Sequence, residues 1–482
     1  MTTNLSDSDY TRSVQSLINQ IQQNSTRKDS FFELAQIYYT SCQADAGTLR
    51  TCQANLKGAE EYLETVSESK REYAQKQVKK FARELKDEEQ KQTNDRQLRY
   101  KCLANICVNV LRLTEGKNLQ QTNLKSSKLL ATLFMLSSTE SSNRQQMHHL
   151  YKPLYKAVLS LRLLDKMLLE GKLNNTYITS RFDSNTRFSQ KAGSYSQFQL
   201  DVAIPVIIAA LLQDIGMQHP EAQRLLKGAD SSQDEFRVLE KETRTILLII
   251  NHEQTQDFLT NGIGISKYEG DDPEKKQRFE KKQLNRMKFV SGLLLDAVKP
   301  SENSIGNIIK IPQIYSSFVL STKPTYRFLD LPNVVTVLNN SAKHAFICSQ
   351  ANECFIQLVG YFPLGLGVLY VQPHDIGEKL NNYFYGIVTR LSPEHPKTPT
   401  CRRISISKDI SDNPKDFTLL ESNNLFFDTP KHCLDEMSPE DLVTLRNTHM
   451  RQLNETKLPE INEGFWNPHH YFSISKHQIL WD

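Results

Sequence analysis

The sequence predicts a mainly α-helical protein that closes with a small β-containing region. Apolar residues recur at helical spacing through most of 1–175 and again through 197–358. The stretch 172–196 between them is polar and rich in Asn, Ser, Thr and Arg, as is typical of a loop or hinge. We therefore predict a helical N-terminal domain over 1–175, a second all-α domain over 197–358, and a β-containing extension with a C-terminal tail over 359–482.

The prediction of a β-containing extension depends on a change in residue composition after Gly360. Runs at 365–371, 385–389 and 403–406 have the composition of short strands and lie between Pro, Asn and Gly residues that favour turns. They predict a small β unit that closes the helical region. The tail after about Met437 is expected to form a short helix and an irregular end.

Helical periodicity also predicts individual helices. In the N-terminal domain they are expected at 14–23, 31–42, 56–98, 100–113, 126–137 and 150–169. In the second domain, 202–212 and 287–298 are apolar enough to be buried, whereas the charged stretch 275–282 is expected to be a solvated helix start.

The segment 56–98 is predicted to be one long amphipathic helix, because it contains no Pro and only one Gly. Its apolar positions are Tyr62, Val66, Tyr73, Val78, Phe81 and Leu85. Their heptad spacing is imperfect, which favours packing within the helical domain over a free coiled coil.

Composition and charge exclude several classes of protein. The chain has 482 residues, of which 38% are hydrophobic and 24% charged, so it is neither collagen-like nor wholly disordered. Its formal net charge is only +4, which provides no strong attraction to nucleic acid or acidic membranes. The sequence contains no GxxxxGK[ST], GxGxxG or GxSxG motif, which argues against the common nucleotide-binding and serine-hydrolase classes.

We expect a cytoplasmic protein without a transmembrane segment. The longest apolar run, 202–212, is interrupted by Pro205, whereas a membrane span needs about 20 residues. The first residues lack the basic-then-apolar order of a signal peptide. The eight cysteines form no CxxC pair, and scattered thiols of this kind suit a reducing compartment.

The segment 211–216, Leu-Leu-Gln-Asp-Ile-Gly, follows an apolar helix and resembles a known signature. It is similar to the Leu-Leu-His-Asp-Ile-Gly-Lys motif of HD-domain phosphohydrolases, in particular the HD-GYP family of bacterial cyclic di-GMP phosphodiesterases. Three later segments, 246–253, 286–298 and 361–369, resemble further parts of that family in the same order. The resemblance covers about 197–407 and implies an HD-like all-α domain followed by a β extension.

The same resemblance implies that the metal site of the family is degenerate here. Family members hold metal ions with a His-Asp doublet and further His and Asp side chains, and the metals activate water. In this chain Gln213 replaces the His of the doublet, Met217 replaces the Lys that follows, and Asn251 replaces the first His of a downstream pair. Only Asp214 and His252 match ligand positions, and three protein ligands are usual even for one catalytic zinc ion.

Neither 261–264 nor 268–270 reproduces the Gly-Tyr-Pro loop of the family. The resemblance therefore implies a catalytically inactive HD-GYP-like regulatory protein without a cofactor, acting in bacterial signalling by binding a protein partner or a cyclic dinucleotide. The N-terminal helices would be its partner-facing or sensory part. In the simplest interpretation, Asp214 only makes a hydrogen bond at a helix end and His252 is a satisfied helix-end histidine.

Two alternatives remain open. The first is an active metal-dependent phosphohydrolase or cyclic di-GMP phosphodiesterase that binds Fe, Mn or Zn with atypical ligands. Its ligands would surround Asp214 and would be Asp201, His219, His252 and Asp296. The second is a structural assembly protein in which the HD fold is an inert scaffold.

Several other residues form weaker candidate sites. His374-Asp375-Ile376-Gly377 spells the HD signature, but it follows a predicted strand and is expected to be a connecting loop. His148 and His149 are expected to be exposed. The pair His469-His470 could bind metal only adventitiously.

Cys348 and Cys354 are expected to be buried by packing, because their spacing suits neither a disulfide nor zinc. A basic cluster begins at Lys275 and ends at Lys288, with Glu274 and Glu280 among its members. It is expected to be a solvated face, with phosphate contact as the alternative.

Overall fold

The computed structural model describes residues 7–23, 26–137, 141–188, 194–371, 383–404, 415–435 and 464–481, together with Ser438, Glu440 and Val443. It confirms the predicted fold class, because the described chain is mainly helical and carries a small antiparallel sheet in its C-terminal part. None of the described helices is both long and apolar enough to cross a membrane.

The first part of the chain forms helices whose starts are set by polar caps. Ser30 and Glu33 form a capping box at the start of the second helix, and Asn118 accepts a hydrogen bond from the backbone N–H of Gln121 at the start of the fourth. The helices are α1 (Asp9–Ile21), α2 (Phe31–Thr65), α3 (Arg71–Thr114), α4 (Leu119–Met135), α5 (Ser141–Leu169) and α6 (Thr176–Thr179).

The prediction of one helix over 56–98 is wrong, because the chain reverses direction within it. Helix α2 ends at Thr65, Val66 is extended, and a single 3-10 turn over Glu68–Lys70 leads into α3. The two helices then run antiparallel as a long hairpin. At its base, the side chain of Gln92 donates a hydrogen bond to the backbone oxygen of Asp45 at 3.0 Å.

The less exposed positions of this hairpin follow a heptad pattern on both helices. They are Cys42, Asp45, Leu49, Cys52, Leu56, Ala59 and Leu63 on α2, and Ala74, Val78, Phe81, Leu85, Glu88 and Gln92 on α3. Spacings that alternate between three and four residues are those of a coiled-coil seam. The hairpin is therefore a two-stranded antiparallel coiled coil within one chain.

The remaining helices build the core around α5. They are α7 (Ile204–Leu212), α8 (Pro220–Lys227), α9 (Lys241–Asp257), α10 (Pro273–Val298), α11 (Asn307–Val319), α12 (Val334–Lys343) and α13 (Ser349–Val359). Helix α5 packs against α7 and α11, and every residue of α7 from Pro205 onward is buried, as predicted. Pro205 is tolerated near the start of α7 because a π turn over Gln199–Ala203 precedes it.

The C-terminal part contains a five-stranded antiparallel sheet in the order β4-β3-β2-β1-β5. Its strands are β1 (Gly367–Tyr370), β2 (Phe384–Val388), β3 (Thr400–Ile404), β4 (Asp416–Thr418) and β5 (Phe465–Trp466). The first three confirm the predicted β unit, whereas β4 and β5 have only three and two residues and gave no sequence signal. Two short helices, α14 (Asp428–Asp435) and α15 (His469–Phe472), follow β4 and β5 respectively.

One apolar core joins all these parts. Its buried members extend from Val14 to Trp481 and include residues of every predicted domain, so the division into three domains stays a prediction. The two ends of the described chain are also tied together, because the Gln478 side chain accepts a hydrogen bond from the backbone N–H of Ser8 at 2.8 Å and donates one to Asp7 at 3.0 Å.

A buried ionic network lies where α3, α5 and the segment before α7 meet. Glu115 accepts hydrogen bonds from Arg187 at 2.5 Å and Arg162 at 3.2 Å, and Asp165 pairs with both arginines. Gln199 donates a further hydrogen bond to Glu115 at 2.7 Å. These side chains fix the position of α5 relative to α7, the two helices that carry the candidate site.

Candidate functional site

The candidate site begins where α7 ends. Gln213 and Asp214 follow the helix, and a 3-10 turn over Ile215–Gln218 turns the chain toward α9. Gly216 allows this turn, because a Cβ at that position would overlap the backbone of Asn251 on α9. The Gly216 N–H also donates a hydrogen bond to the Thr255 hydroxyl at 3.2 Å. The motif therefore packs directly on α9.

Asp214 is bound by a cationic side chain of the protein itself. The ammonium group of Lys156 on α5 contacts Oδ2 of Asp214, and Gln313 on α11 donates a hydrogen bond to Oδ1 at 3.1 Å. The Lys156 side chain is 1% exposed and that of Asp214 is 35% exposed. Burial alone would raise the pKa of Asp214, but Lys156, Lys152 and Gln313 outweigh it and hold that pKa below its usual value.

The amide side chains beside Asp214 form a short chain of hydrogen bonds. Gln213 donates to Gln313 at 3.0 Å, and the Asn251 side chain donates to the backbone oxygen of Gln213 at 3.1 Å. Within the described part of the chain, Oε1 of Gln213 and Oδ1 of Asn251 are buried without a hydrogen-bond partner. These amides thus join the three helices at the site, but they add no charged ligand.

Two more lysines lie near the same carboxylate. Lys152 is one helical turn before Lys156 on α5, and Lys310 is one turn before Gln313 on α11. Burial lowers the pKa of Lys152 to about 8, while Asp214 raises that pKa and Lys156 lowers it. Burial likewise lowers the pKa of Lys310, against an opposing effect of Asp214. Lys156 therefore contacts the Asp214 carboxylate, and Lys152 and Lys310 add positive charge at longer range.

Asp214 and Lys152 open into a cleft of about 990 Å³ between the N-terminal helices and the second predicted domain. Met217 and His149 also line it, and burial lowers the pKa of His149 to about 4, so its imidazole is neutral at pH 7. The other walls come mainly from uncharged polar side chains that lie on α1, α2, α5, α8 and α11 or in the segments next to them. Those are Asn19, Gln22, Gln23, Gln36, Asn143, Gln146, Gln218, Gln223, Gln313, Ser317 and Thr322.

Of the five residues predicted at the site, the structure brings four into one region. Asp214 and Met217 line the cleft, and Gln213 and Asn251 are hydrogen-bonded just behind it. His252 lies on α9 next to Asn251, is partly exposed, and is not among the described residues that line the cleft. The two side chains that match ligand positions of the family, Asp214 and His252, are therefore not both presented to the cleft.

The other ligands of the metal-dependent alternative, Asp201, His219 and Asp296, are not among the described residues that line the cleft. Asp201 pairs with Arg286 at 2.7 Å and Arg181 at 3.2 Å. His219 caps α8, where its Nδ1 accepts a hydrogen bond from the Glu221 N–H at 3.2 Å. Asp296 lies on α10, where its backbone packs against Gly306.

The donor set does not fit the metal that the family resemblance would imply. Across the ranges that the structure describes, no group of three or more His, Cys, Asp or Glu side chains could hold a metal ion. The carboxylate of Asp214 is already bound by an ammonium group, and Lys152 and Lys310 would repel a divalent cation. The amides of Gln213 and Asn251 are poor ligands for a transition metal.

The structure places most of the weaker candidate residues, and one expectation about them is wrong. The expectation that His148 is exposed is wrong: it is 1% exposed, and its Nδ1 is 2.8 Å from the backbone oxygen of Ser321. Cys348 and Cys354 are buried, as predicted. The segment 374–377 lies outside the described residues. His469 is partly buried, with Nδ1 3.1 Å from the backbone oxygen of Met135.

The basic cluster on α10 is largely solvated and does not line the cleft. Lys276 and Arg278 pair with Glu280 and Glu274 along their own helix. Arg286, in the same cluster, is instead partly buried against Asp201.

Sequence analysis missed the charged residues that define this site, which are Lys152, Lys156 and Lys310. The first two lie within Tyr-Lys-Pro-Leu-Tyr-Lys at 151–156, at the start of an apolar helix that was assigned to the first domain. Lysines four residues apart among buried tyrosines and leucines are unusual, because lysine is almost never fully buried without a partner. That pattern was the available signal, although it could not identify Asp214 as the partner.

Comparison with known proteins adds no further constraint. No family model, no curated protein and no solved structure matches this chain. The functional argument therefore depends on the site itself.

Proposed function

We propose that this protein is a catalytically inactive, HD-GYP-like regulatory protein that acts in the cytoplasm by binding a small ligand or a protein partner. The observation that carries the proposal is the contact between Lys156 and Asp214. This contact supplies, from the chain itself, the positive charge that a metal ion would bring to the one acidic residue of the motif. The proposed setting, bacterial signalling related to cyclic dinucleotides, comes from the sequence resemblance.

The chemistry of hydrolysis supports the inactive form of the proposal. A metal-dependent phosphohydrolase needs metal ions that lower the pKa of bound water and polarise a phosphoryl oxygen. Here the equivalent charge would come from lysine ammonium groups, which have no open coordination position for water. Lys152, Met217 and His149 line the cleft with Asp214, and the other carboxylates of its lining, Glu33 and Glu235, are paired with lysines. We expect none of these groups to replace a metal-bound water as the nucleophile.

The cleft supports the ligand-binding form of the proposal. Its volume of about 990 Å³ lies at the upper end of the range of small-molecule sites, which is about 300–1,000 Å³. Its polar walls offer amide and hydroxyl groups that can donate and accept hydrogen bonds. A regulatory protein could use such a cleft without turning over what it binds.

Turnover assays test this proposal. The protein is purified without oxygen and supplied with Fe²⁺, Mn²⁺ or Zn²⁺, and then incubated with cyclic di-GMP and with bis-p-nitrophenyl phosphate. We expect no hydrolysis above that of the Asp214→Asn variant, which keeps the shape of the side chain and removes its charge. Metal-dependent turnover that is lost in Asp214→Asn and in His252→Ala would overturn the proposal in favour of the phosphohydrolase alternative.

A further inference from the structure

Around Asp214 the chain carries more positive charge than it neutralises, and Lys152 presents part of that charge to the cleft. Lys156 contacts the Asp214 carboxylate, whereas Lys152 and Lys310 interact with it electrostatically at longer range. Within the described residues, the ammonium groups of Lys152 and Lys310 make no hydrogen bond or ion pair. His149, the other titratable group beside them, is neutral at pH 7. Two positive charges therefore remain without a counter-charge.

The acidic residues at the rim of the cleft do not cancel this excess. Glu235 pairs with Lys227 at 3.5 Å. Glu33 pairs with Lys28 at 3.8 Å and also accepts hydrogen bonds from the Ser30 N–H and hydroxyl at the start of α2. Each rim carboxylate is thus balanced by a rim lysine, and the excess positive charge lies around Asp214.

A charge without a partner in a partly buried site is energetically costly, and such charges are often found at functional sites. Burial lowers the pKa of both Lys152 and Lys310, which means that each charged form is disfavoured by its surroundings. An anion bound in the cleft at Lys152 would reduce that penalty. Ammonium groups are donors only, so the fitting partner is a group rich in acceptor oxygens. A phosphate group meets both conditions, and lysine is a common phosphate binder.

We propose that Lys152 binds, within the cleft, the phosphate group of a nucleotide-sized phosphate ester, with the Lys156–Asp214 pair as a fixed base and Lys310 as a second, more distant positive charge. The inference rests on the proposed function, because it names the chemical class of the ligand in the same cleft. The ammonium groups of this chain would neutralise the phosphate where the family resemblance implies metal ions. The amide and hydroxyl side chains of the walls would contact the rest of the ligand.

Calorimetric titration of the full-length protein tests the subsite. The probes are cyclic di-GMP, a phosphodiester, and GMP, a phosphomonoester, with guanosine as the uncharged control. We expect at least one phosphorylated probe to bind and guanosine to bind at least about ten times more weakly, because a charge-assisted hydrogen bond contributes about 1.5–3 kcal/mol, or a factor of about 10–100. The probe that binds more tightly identifies the diester or the monoester as the preferred class.

Variants then assign the binding to Lys152. Lys152→Met should weaken binding by about ten-fold or more, for the same energetic reason. Lys310→Met removes only a more distant charge and should weaken binding by a smaller factor. Lys152→Arg, which keeps the charge, should weaken it less. Lys281→Met, on the exposed start of α10, is the matched control and should leave the affinity unchanged. Lys152→Met should also raise the melting temperature, because it removes a buried charge, and this result would confirm that the variant is folded.

The subsite is overturned if neither phosphorylated probe binds at millimolar concentration, if guanosine binds as tightly as GMP, or if Lys152→Met binds as tightly as the unmodified protein. These results leave the proposed function standing when no hydrolysis is seen. Hydrolysis of cyclic di-GMP would instead refute the proposed function, so the two failures are distinguishable.

Discussion

At the scale of single residues, the partner of Asp214 explains why a lysine is buried on α5. The Lys156 side chain is 1% exposed, and a buried ammonium group without a partner would be very costly. Asp214 is the more exposed member of the pair, so water shares in its solvation. The charged form of Lys156 therefore depends on its partner more than the charged form of Asp214 does.

This asymmetry predicts the effect of Asp214→Ala. The substitution leaves Lys156 buried and uncompensated, so we expect the free energy of unfolding at pH 7 to fall by about 3 kcal/mol, the lower end of the range for breaking a buried pair. Urea denaturation measures the change. Glu61→Ala, which removes an exposed pair with Lys57 on α2, is the control and should have almost no effect. An unchanged midpoint for Asp214→Ala would show that the pair does not stabilise the fold.

Lys152 predicts a dependence of ligand affinity on pH. Burial lowers its pKa to about 8, and Asp214, Lys156 and His149 are the titratable groups that face it. Phosphate binding needs the protonated lysine, so affinity should fall as the pH rises through about 8. Calorimetric titrations with the probe at several values between about pH 6.5 and 9.5, roughly one pH unit apart, measure how the affinity changes. A flat profile would mean that Lys152 does not contact the ligand.

The lowered pKa of Lys152 also affects stability. Ligand affinity should fall as the pH rises, but the stability of the protein without ligand should increase. The pKa of Lys152 is 10.5 in a free side chain and about 8 in the fold. Between these values the unfolded chain binds more protons than the folded chain, so this lysine makes the free energy of unfolding rise with pH in that window. Lys152→Met should remove this rise of the free energy of unfolding with pH. If the rise persists in the variant, Lys152 is not its cause.

At the scale of elements, the packing of the 3-10 turn on α9 holds the site together. Gly216 approaches the backbone of Asn251 so closely that any Cβ would force the two apart. The Asn251 side chain then reaches back to the Gln213 carbonyl at 3.1 Å. A larger residue at position 216 would therefore disturb both α9 and the end of α7.

Gly216→Ala is accordingly predicted to be destabilising by about 2 kcal/mol, as for other overpacked interiors. Gly292→Ala on α10 is the matched control, because a Cβ there meets no atom within 4 Å. In that helix alanine should be neutral or stabilising by up to about 1 kcal/mol. Thermal unfolding of both variants makes the comparison, and equal melting temperatures would contradict the close packing.

The sequence allowed the element types to be predicted better than their ends and partners. The apolar run of α7 and the strands β1 to β3 were predictable, because buried helices and alternating strands have strong local patterns. The reversal at Val66–Lys70 was not, because it contains neither Pro nor Gly. Lys156 was missed for another reason: its partner Asp214 is 58 residues away, and no local pattern records such a contact.

At the scale of the whole molecule, a continuous core and a buried ionic network connect the predicted domains. Glu115, Arg162, Asp165 and Arg187 are all at most 4% exposed. Burial raises the pKa of Glu115, but Arg187 and Arg162 outweigh it and hold that pKa below its usual value of 4.5. Because its folded pKa is lowered, Glu115 stabilises the protein above pH 4.5, and this contribution is lost as the pH falls further.

Glu115→Gln tests the role of the network. It leaves two buried arginines with Asp165 as their remaining acidic partner, so we expect a loss of about 3 kcal/mol at pH 7. The variant should also lose less additional stability than the unmodified protein when the pH falls below 4.5. Urea denaturation at pH 7 and at pH 4 measures both effects, and parallel losses in the two proteins would refute this role for Glu115.

The proposed function requires that lysine side chains neutralise Asp214 in place of a metal ion. Elemental analysis of protein purified without oxygen tests it most directly. We predict no stoichiometric Fe, Mn or Zn, and no difference in metal content between the unmodified protein and Asp214→Asn. One or two equivalents of any of these metals, lost in Asp214→Asn, would contradict the claim and indicate a metal site rebuilt around Asp214.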